Sequence, residues 1–161
     1  MKKFSPKKFI IMILTFTAAI SVWILWSTVQ GEGLTLDAVK YNGKANVLIS
    51  SIVTKDYEKA AKYLVFSGTE DKDAARRRWI EQMKSLEYEA VSEEHSRLMA
   101  DDGFVSTDVV MNLKDDGSIA FGVAVQENGL GINYVYYHYK GALVDDKTEI
   151  FQSAMTSWNP G

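Results

Sequence analysis

The residues best suited to chemistry lie in one short stretch, INYVYYHYK, at positions 132–140. Alternate side chains of a β-strand point to opposite faces, so Tyr134, Tyr136 and His138 would share one face there. An imidazole on that face could act as a general base, and a tyrosine hydroxyl could orient a substrate. Tyrosines and a histidine also commonly cover a sheet face with their polar ends in solvent, which is the simpler interpretation. We therefore treat the three residues as candidates for ligand binding and assign no catalytic residue.

The other histidine and an arginine triplet have simpler explanations than a functional site. His95 follows Glu93 and Glu94 in the run SEEHSR, but two carboxylates beside one histidine do not define a metal site. Arg76–Arg78 could bind phosphate or an acidic partner. A basic triplet on an amphipathic helix is more often a solvated face, and we interpret it that way.

Two acidic segments could suggest calcium loops, Asp101-Asp102-Gly103 and Asp115-Asp116-Gly117. Neither has the twelve-residue ligand spacing with a distal glutamate, so both are interpreted as turns. The sequence also has no Gly-x-Ser-x-Gly or His-Glu-x-x-His motif and no cysteine, which excludes thiolate metal sites and cysteine nucleophiles. We expect no metal, no cofactor and a non-enzymatic function.

The chain that positions these residues begins with a membrane-type segment. From Phe9 to Val29 there are 21 consecutive uncharged residues. A helix of that length measures about 31 Å, which matches a hydrocarbon core of ~30 Å. We therefore predict a transmembrane helix at 9–29 that contacts the lipid bilayer from Phe9 to Val29.

The basic residues around this segment predict its orientation. Four lysines lie in the tail at 1–8, whereas the next basic residue after the helix is Lys40. By the positive-inside rule the tail is cytoplasmic, and the chain beyond a short flexible linker at 30–33 is extracellular. The alternative is a cleaved signal peptide, but signal peptides usually have a shorter apolar region.

The charge of the extracellular part excludes one class of partner. Beyond the tail there are 14 basic and 21 acidic residues, so this part carries a net charge of about −7. Binding to nucleic acid depends on basic residues that displace counterions from phosphates. We expect no nucleic acid partner.

Residues 34–157 are expected to form one α+β domain. Apolar spacing predicts a helix over 34–54, weakened at Asn42-Gly43. Asp56 is positioned to cap a second helix from Tyr57 to Ser67-Gly68. A third helix is expected to open at Thr69 or Asp71, with the inner face Ala75, Trp79, Met83 and Leu86.

After Leu86 the apolar period changes to two, which predicts strands. Asp115-Asp116-Gly117 and Asn128-Gly129 are expected to be hairpin turns, and Asp101-Asp102-Gly103 to join the first strand pair. The predicted strands cover 88–99, 105–113, 119–125, 132–140 and 147–155. Helices first and then an antiparallel meander define an α+β fold, with two or three helices packed on a curved sheet.

The segment DYEKAAKYLVFSGTEDKDAARRRWIEQMKSL at 56–86, followed by this meander, resembles the nuclear transport factor 2-like superfamily. Members share a helix that opens with D-x-E-x-A, which Asp56, Glu58 and Ala60 match. The common closing strand with a buried tryptophan before a basic residue has no counterpart, because Trp158 lies too close to the end of the sequence. The resemblance implies a cone-shaped α+β domain; membrane-anchored bacterial members often act as assembly components, and others are small-molecule binders or isomerases.

These observations predict a non-enzymatic binding or assembly domain tethered at a bacterial cell envelope, with a partner protein, a small ligand or a second copy as its target. The alternative is a pocket enzyme or ligand carrier of the same fold, with the aromatic strand lining its cavity.

Overall fold

A computed structural model describes residues 5–66, 71–91, 97–114, 116–140 and 142–144 of the chain. Helices come first and an antiparallel sheet follows, so the predicted α+β class is confirmed. The helices are α1 (Pro6–Gln30), α2 (Leu36–Val53), α3 (Tyr57–Ala61) and α4 (Lys72–Ser85). The strands are β1 (Tyr88–Val91), β2 (Met99–Asp101), β3 (Phe104–Leu113), β4 (Gly117–Gln126), β5 (Gly129–Tyr139) and β6 (Ala142–Val144).

Helix α1 lies outside the core of the domain. Its apolar side chains are exposed, with Phe16 68% and Val22 67% accessible, and Ser27 near its end is the one buried residue of the helix. The helix is long and apolar enough to cross a membrane. Its threonines and Ser21 donate hydroxyl hydrogen bonds to carbonyls four residues earlier, which satisfies these polar groups within the helix.

Helix α2 runs unbroken through Asn42 and Gly43, where the sequence suggested a weak point. Thr35 caps its start by accepting a hydrogen bond from the Ala38 N–H. The Asn42 side-chain carbonyl oxygen accepts a hydrogen bond from the Leu98 N–H at 3.0 Å. Helix propensity depends on neighbouring residues in the sequence and does not include such a tertiary contact. The helix therefore connects the two ends of the domain without a break.

Helix α3 is much shorter than predicted. Asp56 caps it as expected, accepting from the Lys59 N–H, but the helix ends at Ala61. The chain then pairs with β5: the Val65 N–H donates to the Leu130 carbonyl at 2.7 Å. The expectation of a helix reaching Ser67-Gly68 is therefore wrong for residues 62–66, because pairing with the sheet displaces helical bonds there.

Helix α4 begins at Lys72 with Asp71 as its cap, accepting from the Ala74 N–H at 2.8 Å; Thr69 lies outside the described residues. Ala75, Trp79 and Met83 are buried on its inner face as predicted. The arginine triplet lies on the other sides, with Arg77 and Arg78 exposed. Arg76 is half-buried: it pairs with Asp73, and its guanidinium lies 5.9 Å from the centre of the Phe66 ring. The solvated-face interpretation therefore fits Arg77 and Arg78 only.

The named strands pair antiparallel, in the order β1-β3-β4-β5-β6, and the segment after α3 adds a parallel bridge between Leu64 and Leu130 of β5. Strand β2 pairs with the start of β3, and β1 pairs with its end, so two short strands share one edge. The single strand predicted at 88–99 is therefore wrong as one element. The strand predicted at 147–155 and His95 lie outside the described residues.

The hairpin turns lie where the sequence predicts them, but the residues with positive φ are not always the glycines. Asp102 and Gly103 both have positive φ, which is the tight hairpin geometry that the sequence suggested. At the next turn Asp116 has positive φ (61°) and Gly117 begins β4. Gly129 begins β5, and a Cβ there would lie 2.8 Å from a Val65 methyl. Gly129 is thus required by close packing of the segment after α3.

Packing in the domain is layered. Helix α2 packs against β3, β4 and β5, while α3 packs against α2, and α4 against α3. The sheet face toward α2 is almost entirely apolar and buried, as the alternation along β3 predicts. Its fully or nearly fully buried residues are Val109, Met111, Ile119, Phe121, Val123, Leu130, Ile132, Val135 and Tyr137.

Two buried tyrosines connect the end of α2 to β1. The Tyr88 hydroxyl donates to the Ile52 carbonyl at 2.6 Å and lies 2.9 Å from the Tyr57 hydroxyl. Tyr88 uses its only hydroxyl proton on Ile52, so Tyr57 must donate to Tyr88. Burial, together with the Tyr57 hydroxyl, raises the pKa of Tyr88 above its ordinary value.

Removing the two hydroxyls should have unequal effects on stability. We expect Tyr88→Phe to lower the free energy of unfolding by about 1–3 kcal/mol, because the Ile52 carbonyl and the Tyr57 hydroxyl both lose a partner. The matched variant Tyr57→Phe should cost about 1 kcal/mol or less, since the bond between Tyr88 and Ile52 survives. Urea unfolding of the full-length chain in detergent, followed by tryptophan fluorescence, measures both; equal losses would contradict this order of hydrogen bonds.

Candidate functional site

The three candidate residues lie on the sheet face turned away from α2, which we call the outer face. Tyr134, Tyr136 and His138 pair with Gly122, Ala120 and Ser118 of β4. Val135 and Tyr137 lie on the opposite face and are buried in the core. From residue 134 onward the register confirms the predicted alternation, whereas a register shift at Asn133 places Ile132 on the buried face with Val135.

The strand register places these residues along one side of a trough. Strand β4 contributes the small residues Ser118, Ala120 and Gly122 as its floor. Across that floor lie Asp108, Val110 and Asn112 of β3. Tyr136 is 47% exposed and His138 half-buried, so aromatic and imidazole groups border the trough on the β5 side. The trough combines apolar, acidic and hydrogen-bonding groups.

Within the described residues, the inner side of the aromatic strand packs into the hydrophobic core. This core also includes Phe121 and Met111 of the sheet and Trp79 of α4, all without solvent exposure. Of the strand's aromatic groups, Tyr137 points into this core and Tyr136 points away from it.

The described residues hold no group of three histidine, aspartate or glutamate side chains that could bind a metal ion. Two groups elsewhere in the domain have shifted pKa values, Glu58 and Tyr88. The pKa of Glu58 is lowered because its carboxylate accepts a hydrogen bond from the exposed Lys84 ammonium. The pKa of Tyr88 is raised by burial within the core. Both groups serve packing and surface pairing, and neither lies beside the trough.

A second recessed surface lies between α2 and the segment before β2. It is an open groove of about 280 Å³ lined by Leu34, Val39, Asn42, Asn46 and Arg97. Leu34 and Val39 make one end apolar, while the two amides and the guanidinium make the other end polar. Within the described residues Arg97 forms no ion pair.

The groove lies next to a set of hydrogen bonds that fixes the end of α1 to the domain, which we call the junction. The Gly103 N–H donates to the Gly31 carbonyl at 2.8 Å. Gly33 and Ala100 exchange two backbone hydrogen bonds of 2.9 and 2.8 Å. Residues 30–33 were expected to be a flexible linker; the structure instead incorporates Gly33 into the edge of the sheet.

A side-chain bond completes the junction. The Thr28 hydroxyl donates to the Ile24 carbonyl and accepts from the Leu36 N–H at 2.9 Å. The first residue of α2 is therefore held beside the last turn of α1. Ser27 in that turn is buried, and a Cβ on Gly33 would lie 3.6 Å from its Oγ. Helix α1 ends at Gly31, which has φ of 73° and closes the helix with an N–H bond to the Ser27 carbonyl.

Sequence reasoning identified the outer-face residues but missed the groove and the junction. Both depend on contacts between residues far apart in the chain, such as Gly33 with Ala100. One local signal was available: Gly31, Gly33 and Gly103 stand beside the apolar helix and in a tight turn, and all three have positive φ. Glycines at such positions indicate close approach of backbones, without indicating which backbones meet.

Comparison of the chain with protein-family models, with curated proteins and with solved structures finds no match.

Substitution of Gly31 should weaken the junction. An alanine at this position would have to hold a left-handed conformation at a cost of about 1 kcal/mol or more. Its Cβ would also lie 3.0 Å from the Gly103 nitrogen. We therefore expect Gly31→Ala to speed hydrogen exchange at the Ala100 and Gly103 amides.

The matched control for this substitution is Gly43→Ala. A Cβ at position 43 meets nothing within 4 Å in the middle of α2, so the change should stabilise the helix and leave exchange at the junction unaltered. Unchanged exchange in Gly31→Ala would show that the junction does not depend on this glycine.

Proposed function

We propose that this protein is a membrane-anchored, non-enzymatic binding or assembly domain that acts on a partner protein or small ligand at the cell envelope. The observation that supports it best is the junction: an exposed apolar helix ends in hydrogen bonds to the sheet of a folded domain. A helix embedded in lipid would then hold the domain at the membrane surface. Restricting a domain to a surface raises its effective concentration for membrane-bound partners.

The orientation follows from the lysines of the tail. Four lysines before the helix and none between it and Lys40 favour a cytoplasmic tail and an extracellular domain. The acidic surface of the domain keeps it soluble and disfavours anionic polymers as partners. In this orientation the outer face and the groove are on the outside of the cell.

The outer face is the surface proposed to meet a partner. Its trough is bordered by Tyr136 and His138 on one side and Val110 on the other. Tyrosine combines a large apolar ring with a hydrogen-bonding end, and it is enriched in protein interfaces for that reason. A second copy of the chain is included among such partners.

The resemblance to the nuclear transport factor 2-like superfamily is consistent with this proposal. Helices precede an antiparallel meander, and Asp56 caps α3 with Glu58 in its first turn and Ala60 buried. Membrane-anchored bacterial members of that superfamily often act as assembly components. Fold does not determine function, so the resemblance adds only plausibility to the choice of an assembly role.

Labelling in intact cells tests the orientation. The chain has no cysteine, so single cysteines can be introduced at Lys3 in the tail and at Glu127 in the exposed turn between β4 and β5. A membrane-impermeant maleimide should label Glu127→Cys in whole cells and Lys3→Cys only after lysis. The reverse pattern, or a mature chain that lacks the tail and is found in the medium, would overturn the proposed topology.

Photo-crosslinking tests the partner surface. A benzophenone side chain in place of Tyr136 should give adducts in intact membranes, since the trough is where a partner is expected to lie. The matched control replaces Arg77, which is exposed on α4 on the helical side of the domain. Mass spectrometry then identifies the adduct as another protein or a second copy. Equal adducts at both positions, or none from position 136, would argue against the outer face as the binding surface.

A further inference from the structure

Three apolar side chains near the junction are unusually exposed for their size. Leu36 is 50%, Val39 44% and Met99 45% accessible. Single exposed apolar residues are ordinary on soluble proteins. These three differ because all of them lie next to the point where α1 enters the domain.

Hydrogen bonds define how near to α1 these residues lie. The Leu36 N–H contacts the Thr28 hydroxyl at 2.9 Å, so Leu36 is at the same height as Thr28 along α1. Met99 immediately precedes Ala100, and Ala100 pairs with Gly33. Gly33 lies two residues after Gly31, the C-terminal cap of α1. Val39 is one turn further along α2, about 4.5 Å beyond Leu36.

The apolar segment of α1 relates the positions of these residues along the helix to depth in a bilayer. Thr28 is the second-last residue of the 21-residue uncharged segment, which is just long enough to cross the ~30 Å hydrocarbon core. Trp23 and Trp26 lie in the turns just before it and are 52% and 63% exposed, as expected for side chains at the edge of a bilayer. If α1 spans the membrane, Leu36 lies at the boundary between hydrocarbon and headgroups.

We propose that the junction end of the domain rests on the outer leaflet, with Leu36, Val39 and Met99 inserted among the lipid headgroups. The occupant of this apolar surface is the lipid of the membrane that holds α1, because the surface is continuous with the membrane-spanning helix through the junction. This inference rests on the proposed function in one respect, the embedding of α1.

Polarity along α2 fits the same arrangement. Leu34 and Val39 line the junction end of the groove, and Asn42, Asn46 and Arg97 line the rest of it. Successive turns of α2 therefore change from apolar to amide as they leave the junction. A headgroup layer has the same gradient from hydrocarbon to water.

Charges near the junction define what kind of contact this is. Four exposed carboxylates lie near the junction, those of Glu32, Asp37, Asp101 and Asp102. They outnumber the two exposed basic groups there, those of Lys40 and Arg97. The excess of carboxylates gives no attraction to anionic lipids. Burial of apolar side chains must therefore provide the favourable free energy, and the contact should not strengthen as the fraction of anionic lipid rises.

The inference also predicts how the domain stands on the membrane. Helix α2 and strand β3 both lead away from the junction, and β3 extends from the tight turn at Gly103 to the opposite end. Val53, at the far end of α2, lies 14 residues beyond Val39, about 21 Å along the axis. If the junction end of the domain contacts the membrane, the outer face of the sheet stands upright on it and stays accessible to a partner alongside the domain.

Lipid-borne quenchers test the contact in full-length protein reconstituted into vesicles. An environment-sensitive fluorophore is attached to Val39→Cys or, in the control, to Val53→Cys. The two valines match in residue type and exposure (44% and 42%), and nearly four full turns separate them, so they lie on almost the same face of α2. A label at Ser21→Cys in α1 reports whether the helix is embedded, and Met99→Cys provides a second site should Val39→Cys disturb the fold.

With quencher on the headgroup region of phosphatidylcholine, we expect the labels at 39 and 99 to lose at least about two-fold more emission than the label at 53. The loss should stay the same or fall when phosphatidylglycerol is added. Equal quenching of the labels at positions 39 and 53 would overturn the inference. So would a label at position 39 whose emission shows burial away from water but is not quenched by lipid, because that result would indicate a protein partner at this surface. In a separate set of vesicles with the quencher on the lipid acyl chains, an unquenched label at Ser21→Cys would instead refute the membrane anchor and with it the proposed function.

Discussion

The junction between α1 and the sheet is the constraint on which the rest of the arrangement depends. Two backbone bonds between Gly33 and Ala100 and one from Gly103 to Gly31 join an apolar helix to the edge of a folded domain. Backbone groups in an apolar surrounding must find partners, and here the unpaired edge of a short hairpin supplies them. The orientation of the domain relative to α1 follows from these bonds, since a free linker would leave it undetermined.

The sheet then divides the domain into two faces with different physical roles. On the inner face, buried side chains such as Phe121 and Met111 belong to the hydrophobic core, and their close packing stabilises the fold. On the outer face, small residues of β4 leave a trough between the side chains of β3 and β5. The two faces therefore differ in what they offer: the inner face contributes to the core, and the outer face carries the candidate binding residues.

Sequence reasoning succeeded where one local force dominates. The uncharged run at 9–29, the caps Asp56 and Asp71 and the alternation of β5 each follow from a few neighbouring residues. It failed where tertiary pairing competes with local preference. Leu64 continues the helical stripe of α3 in sequence, yet its segment pairs with Leu130 of β5, because sheet hydrogen bonds and burial together outweigh one more helical turn.

The sequence by itself determined the apolar helix, the α+β order of elements and the shared face of Tyr134, Tyr136 and His138, because periodicity and capping act over a few residues. Only the tertiary structure decided that this face points away from the helices, that residues 31–33 are bonded to the hairpin, and that Leu36 lies level with Thr28. These relations join separate segments of the chain, and which segments meet depends on the packing of the whole core.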